Sequence, residues 1–339
     1  MDKNEDIHVV MLPWLAFGHM ISFLDLSVAL ARSRIHVSFI STPRNIQRLP
    51  KIPPNLSEFI EFVSFPLPKL DANLLPDNAE ATIDILPDQM EYLKATCDLL
   101  QEPIKNFIAK KLPNWILVDF FPCWVVDIAQ DLKIPIVTYS MTTAITLVFF
   151  WSPEFLGEDG QSRDIRSPQD LTVHPTSVNS PSQVAYRNHE AIDMHNVFYA
   201  MDASGIPSGA RLAKLIQASR GVAIRTCLEL EADYSGWGSI LEAMQYGHVL
   251  VFLPFVIDQP LNARLMVEKS LGIEVERDEH GSFTRNDIAN ALRKAMVSEE
   301  GKKLRARTEE AVDGVFGDRK LHDEYIVKFV EYLKNGIYQ

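Results

Sequence analysis

The fold is decided by the stretch Ser235-Gly236-Trp237-Gly238-Ser239 and by the elements predicted after it. The pattern predicts a short helix over residues 240–246, a buried strand over 249–255 and a second helix from Gln259. Glycines at the mouth of a helix let backbone N–H groups approach an anion, and the helix dipole favours negative charge there. A Gly-x-Gly turn alone is weak evidence, because many such turns are only tight connections.

The spacing of polar residues around this turn is more specific. Glu242 follows Ser239 by three positions, and Asp258-Gln259 follows the strand, just before Pro260-Leu261-Asn262-Ala263-Arg264. This pattern resembles the second half of the donor-binding signature of plant UDP-glycosyltransferases. The resemblance implies that the segment 235–239 holds the diphosphate, that Glu242 binds the ribose hydroxyls, and that Asp258 and Gln259 contact the transferred sugar.

The first half of that signature is absent from the sequence. The family has a Trp-x-Pro-Gln segment that stacks on the uracil, and no such segment occurs in this chain. Tyr234 stands where the family has a phosphate-binding histidine. A Rossmann-type half needs several βα units of about 30 residues each, and only the last one or two follow Ser235. The sequence therefore predicts an internal deletion between Tyr234 and Ser235.

The N-terminal part has the pattern of a complete doubly wound domain. Apolar runs bounded by turns predict parallel strands, and helical spacing of apolar residues predicts the helices between them. The strands are expected over 7–12, 36–40, 59–65, 115–121, 136–139 and 221–227, and the helices over 21–31, 88–111, 124–132 and 210–218. After Ser235, a strand is expected over 273–276 and helices over 284–297, 301–315 and 319–334.

Composition excludes several classes of partner. The 339 residues carry a net charge of −12, which argues against nucleic acid or an anionic membrane. Residues 134–151 form the most apolar tract, but Pro135 and several hydroxyl residues interrupt it, so we predict a strand and a core helix and no membrane span. Cys97, Cys123 and Cys227 are sparse and lack metal-binding spacing, which predicts a reduced, cytoplasmic protein.

Two N-terminal residues are candidates for catalysis. His19 lies in the loop after the first predicted strand, and Asp119 lies at the end of the fourth. Open parallel sheets bind ligands outside the carboxyl ends of their strands, where a histidine and a carboxylate would form a base with an orienting partner. A surface histidine and a helix-capping aspartate are the alternative.

The N-terminal motifs decide between these alternatives by resemblance. Met11-Leu12-Pro13-Trp14, Gly18-His19-Met20 and Ser41-Thr42-Pro43-Arg44-Asn45 resemble the start of plant family-1 glycosyltransferases, and in particular the branch that adds rhamnose or glucose to an existing glycoside. The resemblance implies that His19 deprotonates the acceptor hydroxyl and that Asp119 holds its imidazole. Ser22 departs from the family, which usually has proline there.

Other side chains have simpler interpretations. His8 is expected to pack on its strand, and His189 and His195 lack a metal partner, so no metal site is predicted. The pair Phe120-Phe121 and Trp124 are expected in the core, with the lining of an acceptor pocket as the alternative.

The fold implied by the resemblance is α/β with two Rossmann-like domains (GT-B type). Residues 1–234 would form the acceptor-binding domain, and residues 235–339 a truncated UDP-sugar-binding domain with C-terminal helices. The implied reaction is an inverting sugar transfer from a UDP-sugar, which serves as co-substrate without a metal cofactor, to a small-molecule glycoside. A catalytically inactive acceptor-binding or dimerising remnant is the alternative. An α/β-hydrolase is disfavoured because no Gly-x-Ser-x-Gly motif is present.

Overall fold

A computed structural model describes residues 7–70, 74–151, 167–175, 182, 184–224, 249–255, 257–316 and 319–336. The strands are β1 His8–Leu12, β2 His36–Ser41, β3 Ile60–Ser64, β4 Trp115–Val118, β5 Ile136–Ser140, β6 Gly221–Ile224, β7 Leu250–Phe252 and β8 Gly272–Glu274. The helices are α1 Phe17–Arg32, α2 Pro43–Arg48, α3 Met90–Asp98, α4 Gln101–Lys111, α5 Val125–Leu132, α6 Ala144–Trp151, α7 Asn188–Tyr199, α8 Ser208–Ala218, α9 Gln259–Glu268, α10 Arg285–Val297, α11 Glu299–Phe316 and α12 Arg319–Asn335.

The first compact unit contains Met1–Met141, Met201–Ala223 and Lys320–Gln339. Its six-stranded sheet has the order β3-β2-β1-β4-β5-β6, and the pairs β1–β2, β1–β4, β2–β3 and β4–β5 are parallel. β4 is buried along its whole length, as expected for a strand covered by helices on both faces. The predicted doubly wound α/β arrangement is confirmed for this unit.

Two helix boundaries in this unit differ from the prediction. α1 begins at Phe17 and not near residue 21, so His19 lies in the first turn of a helix and not in a loop. The single helix predicted over 88–111 is divided into α3 and α4, with Leu99 and Leu100 between them. Pro103 explains the division, because proline lacks an N–H and clashes with the carbonyl four residues earlier but is tolerated in a first helical turn.

The C-terminal helix α12 belongs to this first unit. Its side chains Val330 and Leu333 are buried in the same apolar cluster as Val9 and Trp115. The indole Nε1–H of Trp115 donates a hydrogen bond of 2.9 Å to the carbonyl oxygen of Leu333. The end of the chain therefore supplies part of the first core.

The second compact unit contains Thr142–Ala200 and Ile224–Arg319. β7 and β8 form a two-stranded parallel sheet, with Val251 opposite Ile273. Its largest apolar cluster includes side chains from both parts of the unit, among them Phe149, Tyr186, Met194, Leu261, Leu265 and Met266. Apolar residues of α6 and α7 are thus buried against α9.

These units are assembled from separated stretches of sequence, whereas the predicted domains are continuous. The junction predicted after Tyr234 falls within residues 225–248, outside the described residues. The division into 1–234 and 235–339 therefore stays a prediction. In the part of the chain that the structure describes, no helix is both long and apolar enough to span a membrane.

Candidate active site

The sheet brings the two predicted catalytic residues to the same edge. β1 and β4 are parallel neighbours, and Leu12 lies opposite Val118 at their carboxyl ends. Asp119 comes directly after β4, and His19 lies in the first turn of α1, which follows β1. The connections after two adjacent parallel strands necessarily meet, so topology places the pair together.

Asp119 is an almost completely buried carboxylate, 1% exposed, with a hydrogen bond to each oxygen. Its Oδ2 accepts from the Nδ1 of His19 at 2.7 Å and from the backbone N–H of Trp14 at 2.9 Å. Its Oδ1 accepts from the backbone N–H of Phe120 at 2.8 Å. A buried acceptor of this kind needs such partners, because an unsatisfied one would carry its full desolvation penalty.

His19 is more accessible than its partner, with 24% of its side chain exposed. The ionised carboxylate can only accept, so the bond through Nδ1 assigns the ring proton to Nδ1 and the basic lone pair to Nε2. The ring lies 5.7 Å from the ring of Phe120, between centroids. This arrangement suits a general base whose tautomer is set by a buried carboxylate.

Ser22, which stands in place of the usual proline, is accommodated by the helix. Its hydroxyl donates a hydrogen bond of 2.8 Å to the carbonyl oxygen of Gly18, one turn earlier. The substitution therefore leaves the first turn of α1 intact, with His19 in it.

On the donor side, the structure describes two of the predicted residues, both at the start of α9. Asp258 is the N-cap residue, and its Oδ2 accepts from the side-chain amide of Asn262 at 3.0 Å. The Oε1 of Gln259 accepts from the backbone N–H of Phe255 at 3.0 Å. Both side chains are thus held at the N-terminus of a helix. The remaining predicted donor residues lie outside the described residues, and their placement stays a prediction: Ser235, Gly236, Trp237, Gly238, Ser239 and Glu242.

The turn before Asp258 has an unusual backbone. Ile257 has a φ of 55°, a conformation that β-branched residues rarely adopt. The hydroxyl of the buried Tyr186 donates a hydrogen bond of 2.9 Å to the carbonyl oxygen of Ile257. Ile257 and Pro260 also line a cavity of about 300 Å³, together with Glu190 and Phe255. The pair Asp258-Gln259 is therefore preceded by a strained turn at the wall of a cavity.

The remaining candidates have structural roles. The Nε2 of His8 lies 2.9 Å from the hydroxyl of Ser38 on the neighbouring strand, as expected for a packed strand residue. Phe121 and Trp124 are buried, as predicted, whereas Phe120 is only partly buried. Within the described ranges, no group of three or more His, Cys, Asp or Glu residues is arranged to hold a metal.

Sequence reasoning missed Trp14 as a partner of Asp119. The contact uses the backbone N–H of Trp14 and joins residues 105 positions apart. A backbone donor leaves no mark on residue type, so no pattern in the sequence would have identified it.

The chain has recognisable relatives. The family described as UDP-glucoronosyl and UDP-glucosyl transferase matches residues 232–306. UDP-glycosyltransferase 91C1 of Arabidopsis thaliana is 28% identical over 460 positions, which cover 99% of this chain and 98% of that protein. Soyasaponin III rhamnosyltransferase of Glycine max is 28% identical over 457 positions, which cover 98% of this chain and 96% of that protein.

The alignment also bears on the predicted truncation. It runs over 460 positions and covers both proteins almost end to end, whereas this chain has 339 residues. More than a hundred positions of the Arabidopsis protein therefore face no residue of this chain, and the shortfall is internal.

The fold is also similar to that of solved glycosyltransferase structures. The structure of Phytolacca americana UGT2, complexed with UDP-2fluoro-glucose and pterostilbene, matches with a TM-score of 0.66 at 14% identity. The match covers 98% of this chain and 100% of that one, and at this identity it shows the fold alone. The predicted GT-B architecture with a truncated C-terminal domain is thereby confirmed. The family match and the relatives support the predicted resemblance to the family-1 UDP-glycosyltransferases of plants, in particular to their glycoside-extending branch.

Proposed function

We propose that the chemistry of this chain is that of an inverting UDP-glycosyltransferase, in which His19 removes the proton from an acceptor hydroxyl. The observation that carries the proposal is the 2.7 Å hydrogen bond between the Nδ1 of His19 and the Oδ2 of Asp119. That bond directs the basic lone pair to Nε2, on a side chain that is accessible at the carboxyl edge of the sheet.

The proposed reaction is a single displacement. The acceptor proton passes to Nε2 of His19 while the acceptor oxygen attacks the anomeric carbon, and the bond from that carbon to UDP breaks with inversion. Asp119 stabilises the imidazolium that forms. The departing diphosphate gains negative charge, which the backbone N–H groups of residues 236–239, at the helix mouth predicted from the sequence, would stabilise. Within this proposal, Glu242 binds the ribose, and Asp258 and Gln259 bind the sugar.

The resemblance and the relatives support a proposal for the substrate class. We propose UDP-rhamnose or UDP-glucose as the donor and a hydroxyl of a plant secondary-metabolite glycoside, such as a flavonoid or triterpenoid glycoside, as the acceptor. The relative from Glycine max is named as a rhamnosyltransferase of a soyasaponin, and the UGT2 structure holds a fluoro-glucose donor analogue. The reaction would take place in the cytoplasm.

A second candidate is a catalytically inactive remnant that still binds the acceptor or dimerises. The internal shortfall of more than a hundred positions favours it, as do Tyr234 in place of the phosphate-binding histidine and the absent Trp-x-Pro-Gln segment. Loss of the uracil platform and of a phosphate ligand would cost several kcal/mol of donor binding. On this candidate, UDP binds no tighter than the millimolar range, about −4 kcal/mol.

The two candidates are separated by transfer and binding measurements on the full chain. Transfer from UDP-rhamnose and from UDP-glucose to a flavonoid glycoside and a triterpenoid glycoside is followed by mass spectrometry, with His19→Ala as the control. Calorimetry with UDP gives the donor affinity. Product above the His19→Ala level supports the transferase. A rate equal to that control, with millimolar UDP binding, contradicts the transferase and supports the remnant.

A further inference from the structure

A charged cluster outside the dyad lies buried in the first unit. Arg211 on α8 has a side chain that is 0% exposed. Its guanidinium donates two hydrogen bonds to Asp98, of 2.9 and 2.6 Å, and one of 3.2 Å from Nε to Asp202. Burial alone would lower the pKa of Arg211, but the bonds to Asp98 and the charges of Asp98 and Asp202 outweigh it and raise that pKa. Removal of either carboxylate would leave the buried positive charge of Arg211 poorly compensated, at a large cost in free energy of folding. The position of the guanidinium is therefore tightly specified.

The guanidinium faces an aromatic ring that is itself buried. Its carbon Cζ lies 4.4 Å from the centroid of the Phe121 ring, which is 1% exposed. Phe121 also contacts Trp14, whose ring centroid is 4.6 Å away. Cation–π contacts are strongest where they are desolvated, and this one is closed off from water. The cluster around Arg211 therefore holds Phe121, and Phe121 packs against Trp14.

The contacts from Arg211 through Phe121 to Trp14 form a column, and Trp14 links this column to the dyad. Its backbone N–H donates to the Oδ2 of Asp119, the same oxygen that accepts from His19. If Trp14 shifts, that oxygen loses one of its two donors, and the carboxylate can rotate away from the imidazole. Phe121 lies two residues after Asp119 in sequence, so both aromatic residues of the column, Trp14 and Phe121, adjoin the dyad.

We propose that Arg211 is a positioning residue for the His19–Asp119 dyad and acts through Phe121 and Trp14. This inference rests on the proposed function, since it assigns Arg211 a role in keeping the base in its productive tautomer. A purely structural Arg211 would stabilise the contact between α8 and α3 without affecting the state of the His19 ring. The two roles differ in what happens to the proton on Nδ1.

The test reads the tautomer of His19 directly and needs no turnover. The full chain is labelled with ¹⁵N-histidine, and the two ring nitrogens are observed by NMR at about pH 8.5, where an imidazole of ordinary pKa, about 6.5, is neutral. The His19 signals are assigned by their loss in His19→Gln. Arg211→Met and Phe121→Leu are compared with the wild type, and circular dichroism checks that each variant is folded.

Two control variants are matched to these. Phe107→Leu removes another ring of the first unit that packs edge-on against a phenylalanine, Phe65, and has a cation over it, Lys111. Lys214→Met removes a charge from α8, the helix of Arg211, where Lys214 makes an exposed pair with Asp127. Neither residue is joined to Trp14 by the contacts described above.

We expect the wild type and both controls to show the Nδ1–H tautomer, and Arg211→Met and Phe121→Leu to show a mixture of both tautomers. If Arg211→Met is unfolded, Phe121→Leu decides the matter. A folded Phe121→Leu that keeps the wild-type tautomer overturns the positioning role and leaves the dyad untouched. A wild type that lacks the Nδ1–H tautomer instead removes the dyad itself, and with it the proposed function.

Discussion

Asp119→Asn tests how the dyad is held together. Asparagine keeps the shape of the side chain but has one accepting oxygen, whereas the carboxylate accepts from three donors. Two of those donors, from Trp14 and His19, meet at Oδ2, and one, from Phe120, meets Oδ1. We expect the amide oxygen to take the position of Oδ2, because that choice keeps two hydrogen bonds and loses one.

The cost in stability follows from this arrangement. The amide NH₂ would face the backbone N–H of Phe120, and a buried donor without an acceptor costs about 1–3 kcal/mol. The two bonds that remain change from a charged to a neutral acceptor, which weakens each by about 1 kcal/mol. Relief of the buried charge offsets part of this. We therefore expect Asp119→Asn to lower the free energy of unfolding by about 2–3 kcal/mol.

The assay is urea denaturation of the full chain followed by tryptophan fluorescence, because Trp14 and Trp115 are both buried in the first unit. The control is Asp127→Asn, whose carboxylate is 57% exposed and pairs with Lys214 on the surface. That change should cost at most about 1 kcal/mol. An Asp119→Asn protein as stable as the Asp127→Asn protein would show that the three hydrogen bonds do not hold Asp119 as described.

Three further predictions concern the base, the strained turn and acid stability. His19→Ala should reduce transfer at least about 100-fold, and Asp119→Asn should reduce it less, because its amide oxygen still orients the imidazole; the reverse order in a transfer assay would contradict their division of roles. Ile257→Asn should raise the free energy of unfolding by about 1 kcal/mol, since asparagine tolerates a φ of 55° better than isoleucine; a lower thermal midpoint would show that the side chain of Ile257 matters more than its backbone. Burial, together with the charges of Lys111 and His36, lowers the pKa of His8 in the folded chain. As pH drops, His8 is therefore protonated in the unfolded chain before it is protonated in the folded chain, and the free energy of unfolding falls below about pH 6.5. Urea denaturation at about pH 7.5 and 5.5 should show that His8→Gln loses less free energy of unfolding between these pH values than the wild type does. An equal loss would show that His8 does not contribute to the pH dependence of stability.

Much of the first unit could be predicted from the sequence. Apolar runs and helical periodicity are local properties, so β1, β2, β3, β4 and β5 were expected close to where they lie. Topology also suggests one long-range contact: residues that follow neighbouring parallel strands meet at one edge of the sheet, which, together with the family resemblance, predicts the pairing of His19 with Asp119.

The tertiary structure decided what depends on packing between distant segments. It assigned α12 to the first unit, because Leu333 is buried beside Trp115, and it joined α6 and α7 to α9 through a shared apolar cluster. These packing arrangements depend on which apolar faces fit together, whereas the periodicity of apolar residues in the sequence shows only that a helix has an apolar face.

The site shows the same division between local pattern and tertiary packing. The sequence, through its resemblance to the family, predicted the base and its carboxylate, because His19 and Asp119 are side chains at recognisable positions in its motifs. Only the tertiary structure decided which donors hold that carboxylate, since one of them is the backbone N–H of Trp14 and every residue type except proline carries such a group. The column from Arg211 through Phe121 to Trp14 likewise joins segments far apart in the chain, and their contact is set by the packed fold.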